Sequence, residues 1–534
     1  MNCPNCRAEI PNEATVCPNC SHELTPVVGE TAEAEAARKR PGWLVFAGVG
    51  VAVLAIGAAA IALSGRGAAA GFSERIPADA FGYLEVDIEA LMSDETKGVV
   101  AAFGPLVEAQ TGEEFDVEAV FDEIISEIDA ELAGSDMSYE EDIASWATGP
   151  VAVGMLGDVD DPDAVAIVGG SDPGALDAFL EKIDADGSTE IAGVRFLTTS
   201  GDGEEMYVGR VGNDLVAASD AALAEALVSG PEQSLADDEE FTTQLSALPD
   251  RGIFVFAVDS DQMTELSEAG ETMTSVTIDS EEFGQYATGW VAGSFGISDG
   301  NIRMDFAATV TDEFPRRSAD PAIEEALPAD TIAFLRVGSV IDQFGAFGES
   351  GVFDGMEEAY GVSLEDLLSL FSVDGAVAVW PSSQPEIPIN AALVALSDAN
   401  RAAMVDAIAE LGSTLAWNVT ETDWGYDIEG LVGLGTRDAL TFLTTDRSLI
   451  ESAPESSFAS SDLHRRATSL VDGDLQAVID TPALIDLIDG LVGMEDPEAA
   501  QTLACLPIGV IASGVDMSSH DVRGTTVIEI TEPC

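Results

Sequence analysis

The sequence predicts an α+β protein built from a small zinc ribbon, one transmembrane helix and a duplicated ectodomain of antiparallel sheets with packed helices. Three observations lead to this expectation. Two pairs of cysteines open the chain, an uncharged apolar run follows at Trp43–Leu63, and a strand pattern that begins near residue 76 recurs near residue 327. They indicate a metal site, a membrane span and a duplicated domain, respectively.

The amino-terminal cysteines, Cys3, Cys6, Cys17 and Cys20, form two C-x2-C pairs separated by ten residues. Zn2+ prefers four thiolates in a tetrahedron, so we expect a structural zinc ion bound by all four residues. A disulfide pair or a redox-active C-x2-C motif is the alternative. Residues 1–24 resemble the short zinc ribbons found ahead of membrane anchors in many prokaryotic proteins, and this resemblance also implies a structural zinc.

The predicted ribbon has the wrong charge for nucleic acid. Arg7 is its one basic residue, against Glu9, Glu13 and Glu23. Binding to phosphates depends on clustered Lys and Arg. We therefore expect a protein partner and no nucleic acid.

The apolar run is long enough, at about 1.5 Å per residue, to cross a hydrocarbon core of roughly 30 Å. A cleaved signal peptide is the alternative for this segment. Three basic residues, 38–40, precede the run and only Arg66 follows it closely, so the positive-inside rule puts residues 1–42 in the cytosol and the remainder outside the cell membrane. Small residues at Gly48 and Ala52 have a spacing that would permit homo-oligomers. The predicted parts are a ribbon (1–24), a cytosolic linker (25–42) and a helix (43–64) in the lipid bilayer.

The chain has a formal charge of −77 and is 46% hydrophobic. Residues 1–64 hold six acids and four bases, leaving 92 acids and 17 bases for residues 65–534. The hydrophobic content predicts a packed core beneath an acidic surface rather than disorder. A source rich in salt would explain such a surface, because dissolved ions screen the repulsion between its carboxylates. A cation-binding face is the alternative.

Internal repetition divides residues 65–534 into two predicted repeats, 65–320 and 321–534. The phrase Ile76-Pro77-Ala78-Asp79 before one strand recurs as Leu327-Pro328-Ala329-Asp330 before another, at a constant offset. Within each half, strand patterns alternate with helical patterns, such as the predicted helix at Pro173–Ile183. Tight turns such as Ser298–Asn301 indicate antiparallel pairing.

This repeated Pro-Ala-Asp phrase, followed four residues later by Leu-x-Val, resembles a family of uncharacterised prokaryotic extracytoplasmic proteins, domain-of-unknown-function family 3352. The resemblance spans much of residues 72–532. It implies an extracytoplasmic fold but no activity and no catalytic residues.

Catalytic motifs are missing from the sequence. His464 and His520 are the only histidines after residue 64, and neither accompanies a Gly-x-Ser-x-Gly elbow, a His-Glu-x2-His helix or a P-loop. We expect His464 in an exposed charged turn and His520 in a polar hairpin. No catalytic residue and no cofactor-binding residue is predicted, and the chain is not expected to be an enzyme.

Four further features remain: a pair of cysteines, two recurring aspartates, two acidic loops and a glycosylation sequon. Cys505 and Cys534 could form a disulfide outside the cell, with a buried thiol and a frayed terminus as alternatives. Asp79 and Asp330 precede strands, where Asp commonly satisfies turn backbone groups. The acidic loops at 158–163 and 184–190 do not match an EF-hand, and Asn418 begins a glycosylation sequon.

From these features we expect a single-pass cell-membrane protein that acts as an extracytoplasmic interaction, adaptor or sensing protein. The alternative is an envelope protein that binds a ligand, and an unrecognised enzyme comes third. A cleft between the repeats would favour ligand binding, whereas an exposed apolar patch would favour a protein partner.

Overall fold

The computed structural model describes residues 72–111, 115–132, 137–159, 161–183, 185–201, 204–249, 252–262, 286–311, 314, 320–336, 375–384, 387–396, 418–492, 505–518 and 520–531. They form a 20-stranded antiparallel sheet. Its strands are β1 (Ala80–Val86), β2 (Ala147–Asp158), β3 (Asp161–Gly170), β4 (Gly187–Ile191), β5 (Val194–Gly201), β6 (Glu204–Val211), β7 (Asp214–Ala218), β8 (Phe254–Asp259), β9 (Ala287–Ser298), β10 (Asn301–Val310), β11 (Ala333–Arg336), β12 (Gly375–Gln384), β13 (Ile387–Leu396), β14 (Val419–Thr422), β15 (Gly425–Ile428), β16 (Val432–Arg437), β17 (Leu440–Thr444), β18 (Asp474–Asp480), β19 (Ile508–Ser518) and β20 (Asp521–Ile530).

Helices connect many of these strands, and two short 3₁₀ turns lie at Leu235–Asp237 and Phe458–Ser460. The α-helices are α1 (Ile88–Leu91), α2 (Asp94–Ala102), α3 (Gly104–Thr111), α4 (Val117–Leu132), α5 (Tyr139–Asp142), α6 (Pro173–Lys182), α7 (Ala221–Ser229), α8 (Glu239–Ala247), α9 (Pro321–Ala326), α10 (Ser448–Glu451), α11 (Asp462–Leu470) and α12 (Thr481–Val492). The predicted helix at Pro173–Ile183 corresponds to α6 and is confirmed.

Helix starts follow from local capping chemistry. Asp172 accepts hydrogen bonds from the first-turn amides of α6, and Pro173 occupies the first helical position. Asp238 and Ser461 cap α8 and α11 in the same way. A short polar side chain at the N-cap position therefore sets these boundaries.

The strand order, read from the hydrogen-bonded pairs, is β4-β5-β6-β7-β3-β2-β1-β8-β9-β10-β20-β19-β18-β11-β12-β13-β17-β16-β15-β14. Strands β1–β10 and β11–β20 occupy equivalent places, so the order is symmetric about its centre. That centre is the pairing of β10 with β20.

The two central hairpins have matching registers. Ser298 pairs with Asn301 at the β9–β10 turn, and Ser518 pairs with Asp521 at the β19–β20 turn. Asp299 and Gly300 both have positive φ, as a type I′ turn requires. The predicted tight turn at Ser298–Asn301 is confirmed.

Apolar side chains pack on both faces of the first ten strands. On one face, here face A, Tyr83 and Ala257 pack with Phe241 of α8. On the other, face B, Val86 and Val151 pack with residues of α1 and α4–α6. In the last ten strands, face A packs against α9, α10 and α11, with Phe334 at the centre of this cluster.

The predicted fold class is wrong in its architecture. A duplicated ectodomain of antiparallel sheets with packed helices was expected, whereas the described residues of both predicted repeats share one continuous 20-stranded sheet. The physical reason is that β10 and β20 would each present an edge of unpaired backbone groups, and they satisfy those groups by pairing with each other. Within the described ranges, no helix is both long and apolar enough to cross a membrane.

The predicted zinc ribbon (1–24), linker (25–42) and transmembrane helix (43–64) lie outside the described residues. The predicted repeat boundaries, 65–320 and 321–534, remain predictions.

Candidate interaction face

On face B, Val86 of β1 and Val151 of β2 are buried under helices, whereas two rows of side chains that start at β9 are half-buried or exposed. Directly opposite residues of an antiparallel sheet point to the same face, so the register defines rows of neighbouring side chains. We call two adjacent rows of face B the open strip. The first row is Phe295, Met304, Thr526, Ser513, Ala477, Leu335, Val377 and Leu393, and the second is Ile297, Ile302, Ile528, Ile511, Ile479, Ala333, Val379 and Ala391.

The side chains of the open strip are half-buried or exposed. Leu335 is 47% exposed, and Phe295 and Val377 are each 37% exposed. Many of the alternating residues of the same strands face the other way and are buried, as with Phe334 and Ala378 at 1% and 0%. Among the described residues, helices cover face A of these strands, and on face B α12 lies against β13, β18 and β19.

None of the sixteen strip positions carries a charge, and only Thr526 and Ser513 are polar. The strip crosses eight strands at about 4.8 Å spacing and two rows, which gives roughly 450 Å² of sheet surface. Only part of this area is exposed, mainly at Leu335, Phe295 and Val377, and exposed apolar patches are candidates for an interaction site. In so acidic a chain, an uncharged face on this scale is the feature that best fits a binding surface.

The first row continues into the first ten strands, where it is covered. Phe295 pairs with Phe254, which pairs with Val86 and then Val151. Val86 is 3% exposed and Val151 is 0% exposed. The residues that cover this part of the row come from helices and the segments beside them: Ile88, Ile128, Leu132, Tyr139, Ile143, Trp146, Leu176 and Phe179.

On face A, a buried charged cluster joins α9, β11 and α11. Glu324 Oε1 lies 2.6 Å from Arg336 Nη2, and Glu324 Oε2 lies 2.8 Å from His464 Nε2. Arg336 also donates from Nε to the Leu475 carbonyl at 3.1 Å. The ring of His464 meets Phe458 edge to face. The expectation that His464 lies in an exposed charged turn is therefore wrong: it is on α11, and its side chain is 16% exposed.

Two opposing effects act on the Glu324 carboxylate. Burial alone would raise its pKa, but the hydrogen bonds from His464 and Arg336 hold the pKa below the usual range of a glutamate. The carboxylate is thus ionised near neutral pH and bridges two helices and a strand.

The first ten strands hold a different pair at the place equivalent to Arg336. Glu85 is 2% exposed and accepts a hydrogen bond from the Tyr83 hydroxyl. His464 is the third residue of α11, and the third residue of the equivalent helix α8 is the apolar Phe241. The charged cluster therefore belongs to one half of the sheet, and a role in fixing α9 and α11 explains it without catalysis.

The other sequence-predicted residues do not converge on one site. Cys3, Cys6, Cys17, Cys20 and Cys534 lie outside the described residues, so the zinc site and the disulfide to Cys505 remain predictions. His520 is exposed in the β19–β20 turn, and its carbonyl accepts a hydrogen bond from the Val310 amide.

The recurring aspartates Asp79 and Asp330 are exposed in turns before β1 and β11. Asp163 accepts a hydrogen bond from Ser219, whereas Asp160 and Asp184 are outside the described ranges. Asn418 is exposed just before β14. In the part of the chain that the structure describes, no group of three or more His, Cys, Asp or Glu side chains is arranged to hold a metal ion.

The open strip was missed at the sequence level, although a signal existed. In several of its strands, the residues that point to one face and those that point to the other are both mainly apolar, as in Ala376–Trp380 and Ile508–Val515. Such runs indicate strands with two apolar faces. Which of those faces is covered depends on where the helices pack, and this was not readable from the strand pattern.

Residues 109–346 match a family model. Its description is "Protein of unknown function (DUF3352)". This match supports the family resemblance for that part of the chain and supplies no activity. No curated protein matches the chain.

Solved structures give only distant likenesses. Crystal form IV of TP0453 is 10% identical, with a TM-score of 0.23, and the match covers 44% of this chain and 79% of that one. Crystal form III of TP0453 is also 10% identical, with a TM-score of 0.24 and coverage of 48% and 87%. At these TM-scores the likeness supports no argument about fold or function.

Proposed function

We propose that this chain is an extracytoplasmic interaction protein, acting as an adaptor or a sensor, that binds a protein partner through the open strip. The observation that supports this is the uncharged, largely apolar surface running from Phe295 to Leu393, whose most exposed members are Leu335, Phe295 and Val377. Covering such a surface removes apolar area from water, which favours association at roughly 25 cal/mol per Å² before the costs of binding.

Site-specific photo-crosslinking in native membranes tests this function. A photoreactive amino acid replaces Val377 in one version of the chain and Leu431 in another. Leu431 is the matched control because it is 55% exposed but lies outside the strip. We expect a reproducible adduct with another protein from position 377 and none from position 431. The same adducts from both positions, or none from position 377, would contradict the proposal.

For location, we propose that residues after 64 lie outside the cytosol and that the chain is held at the cell membrane. The uncharged run Trp43–Leu63 and the basic residues 38–40 before it support this placement. Protease added to intact cells should digest the bulk of the chain while sparing an amino-terminal epitope tag. Protection of the whole chain would reverse the proposed orientation.

For the cofactor, we propose one Zn2+ bound by Cys3, Cys6, Cys17 and Cys20. The matched C-x2-C spacing supports it. Metal analysis of the purified chain should give about one zinc per chain, lost when all four residues are replaced by Ser. Retention of zinc in that variant would place the ion elsewhere.

A further inference from the structure

We propose that Asn418 carries an N-linked oligosaccharide. This inference rests on the proposed location of residues after 64, because the acceptor pattern for such a sugar chain operates in proteins exported from the cytosol. Two observations carry it: the sequence of residues 418–420, and the exposure of both side chains that this sequence must present.

The acceptor pattern is Asn-x-Ser or Asn-x-Thr, in which x is any residue except Pro. Asn418-Val419-Thr420 matches it, and no other asparagine after residue 64 has Ser or Thr two positions later. One further match, Asn19-Cys20-Ser21, lies in the predicted cytosolic ribbon. The proposed location therefore leaves a single acceptor on the outer side of the membrane.

The structure presents both ends of this sequence to solvent. Asn418 and Thr420 are exposed, whereas Val419 between them is half-buried and packs towards Ile428. The Asn418 backbone N–H donates to Glu429 Oε1 over 2.7 Å, and its C=O accepts from the Glu429 amide over 2.9 Å. Because these bonds satisfy the backbone, the side-chain amide of Asn418 is not needed to cap the strand.

The transfer is a substitution at one sugar carbon, catalysed by a membrane transferase. Asn418 Nδ2 attacks C1 of an oligosaccharide carried on a polyprenyl phosphate or diphosphate, which is the donor class that the proposal requires. The N–C1 bond forms, the C1–O bond to phosphate breaks with its electron pair, and one amide proton is released. Nothing is oxidised or reduced. The pattern demands a hydroxyl two residues after the asparagine, so Thr420 is as necessary as Asn418.

The acceptor lies away from the open strip. Thr420 is directly opposite Asp427, whose Oδ2 is 3.0 Å from Nη1 of Arg447 at the start of α10 on face A. Strands β17, β16 and β15 separate β14 from β13, where the strip ends, a distance of roughly 19 Å at about 4.8 Å per strand. A bulky, hydrophilic sugar chain at this place would not occupy the strip.

Mass spectrometry of the chain purified from its native membranes tests the inference. Trypsin cleaves after Arg401 and Arg437, and the peptide between these sites, residues 402–437, contains Asn418 as its sole asparagine. We expect most copies of this peptide to carry the added mass of an oligosaccharide. Fragmentation of the peptide should assign that mass to residue 418.

Variants made in the same cells separate the two requirements. Asn418→Gln and Thr420→Ala should each abolish the added mass, whereas Thr420→Ser keeps the hydroxyl and should retain it. Asn213 is also exposed but belongs to no acceptor sequence, so Asn213→Gln is the matched control and should leave the added mass unchanged. Thermal unfolding of each variant checks that the fold is retained.

An added mass that persists in Thr420→Ala would overturn the inference, because the modification would then not follow the acceptor pattern. If the 402–437 peptide is unmodified while external protease still digests residues after 64, the proposed location stands and the inference fails. An oligosaccharide on Asn19 in place of Asn418 would overturn both, because it would put the amino terminus outside.

Discussion

Asp305 and Thr525 occupy equivalent positions in β10 and β20, and they lie directly opposite each other where these strands pair. Thr525 Oγ1 donates a hydrogen bond to Asp305 Oδ1 over 2.6 Å, and Arg303 Nε donates to Asp305 Oδ2 over 2.8 Å. Asp305 is 5% exposed. The axis that relates the two halves of the sheet therefore passes between two unlike residues. One is a buried carboxylate, and the other is a hydroxyl that donates a hydrogen bond to it.

This pair should contribute to the stability of the joined sheet. Replacing Asp305 by Ala leaves the Arg303 guanidinium with only its longer contacts, to Asp472 and Thr525 at 3.4 Å, and should lower the free energy of unfolding by about 3 kcal/mol. Thr525→Val should lower it by about 1–2 kcal/mol. Urea unfolding of both variants measures the losses. Thr436→Val, on an exposed strand position, is the control and should change stability by less than about 0.5 kcal/mol. Equal effects at residues 436 and 525 would argue against a special role for the pair.

The Glu324 cluster should make stability depend on pH on the acid side. Because its pKa is lowered in the folded protein, ionised Glu324 stabilises the fold at and above the pKa of a free glutamate, and that contribution is lost as the pH falls through the folded value. We expect the stability difference between the wild type and Glu324→Gln to be largest near pH 7 and to shrink below about pH 4. Urea unfolding at a series of pH values tests this. A difference that does not change with pH would show that the carboxylate charge is not involved.

Removing only one charge of the Glu324 cluster should destabilise the protein more than removing two. Arg336→Met leaves Glu324 in a buried site and should cost about 3 kcal/mol or more, while Arg336→Met combined with Glu324→Leu should recover part of that loss. Arg523→Met, at an exposed position, is the matched control and should have little effect. A double-mutant cycle gives the coupling energy directly. If the losses of stability in the double variant were strictly additive, the two residues would not be coupled and the prediction would be wrong.

The ring of Phe306 lies across Gly524, its direct neighbour in the sheet. A methyl group at position 524 would overlap that ring, so Gly524→Ala should destabilise the protein by about 1–3 kcal/mol. The same change at Gly98 in α2, where a Cβ meets nothing within 4 Å, should instead stabilise it by about 0.5–1 kcal/mol. Thermal unfolding compares the two. Equal effects at both glycines would point to backbone flexibility alone rather than the ring contact.

Salt should stabilise the whole chain. A charge of −77 produces self-repulsion that dissolved ions screen, and the Debye length falls from about 10 Å at 0.1 M salt to about 3 Å at 1 M. The midpoint of thermal unfolding should therefore rise over this range of KCl concentration. Sucrose, which carries no charge, controls for general solvent effects. An equal rise in sucrose alone would remove the electrostatic explanation.

Local features of this fold could be predicted from the sequence, because they depend on neighbouring residues. Pro173 after Asp172 marks the start of α6, and Asp299-Gly300 marks the β9–β10 turn. The pairing of β10 with β20 could not be predicted, since it depends on which two edges meet across more than 200 residues of chain. For this reason the expectation of more than one antiparallel sheet was wrong.

The candidate site escaped prediction for a related reason. Leu335 and Phe334 are adjacent apolar residues of one short strand, yet one is 47% exposed and the other 1% exposed. Their difference is created by the helices that cover face A. In the same way, His464 beside Arg465 looked like part of an exposed turn, and only the approach of Glu324 from α9 makes it a partner in a buried cluster.

The antiparallel pairing of β10 with β20 has a consequence for how such a protein could have been assembled. A polypeptide with only one half would leave its last strand unpaired, and two copies could join those strands around a true two-fold axis. Joining both halves in one chain turns such a concentration-dependent dimerisation into an event within a single molecule. It also frees the two strands at the axis to diverge, so that one supplies an acid and the other its hydroxyl partner, which identical subunits cannot do.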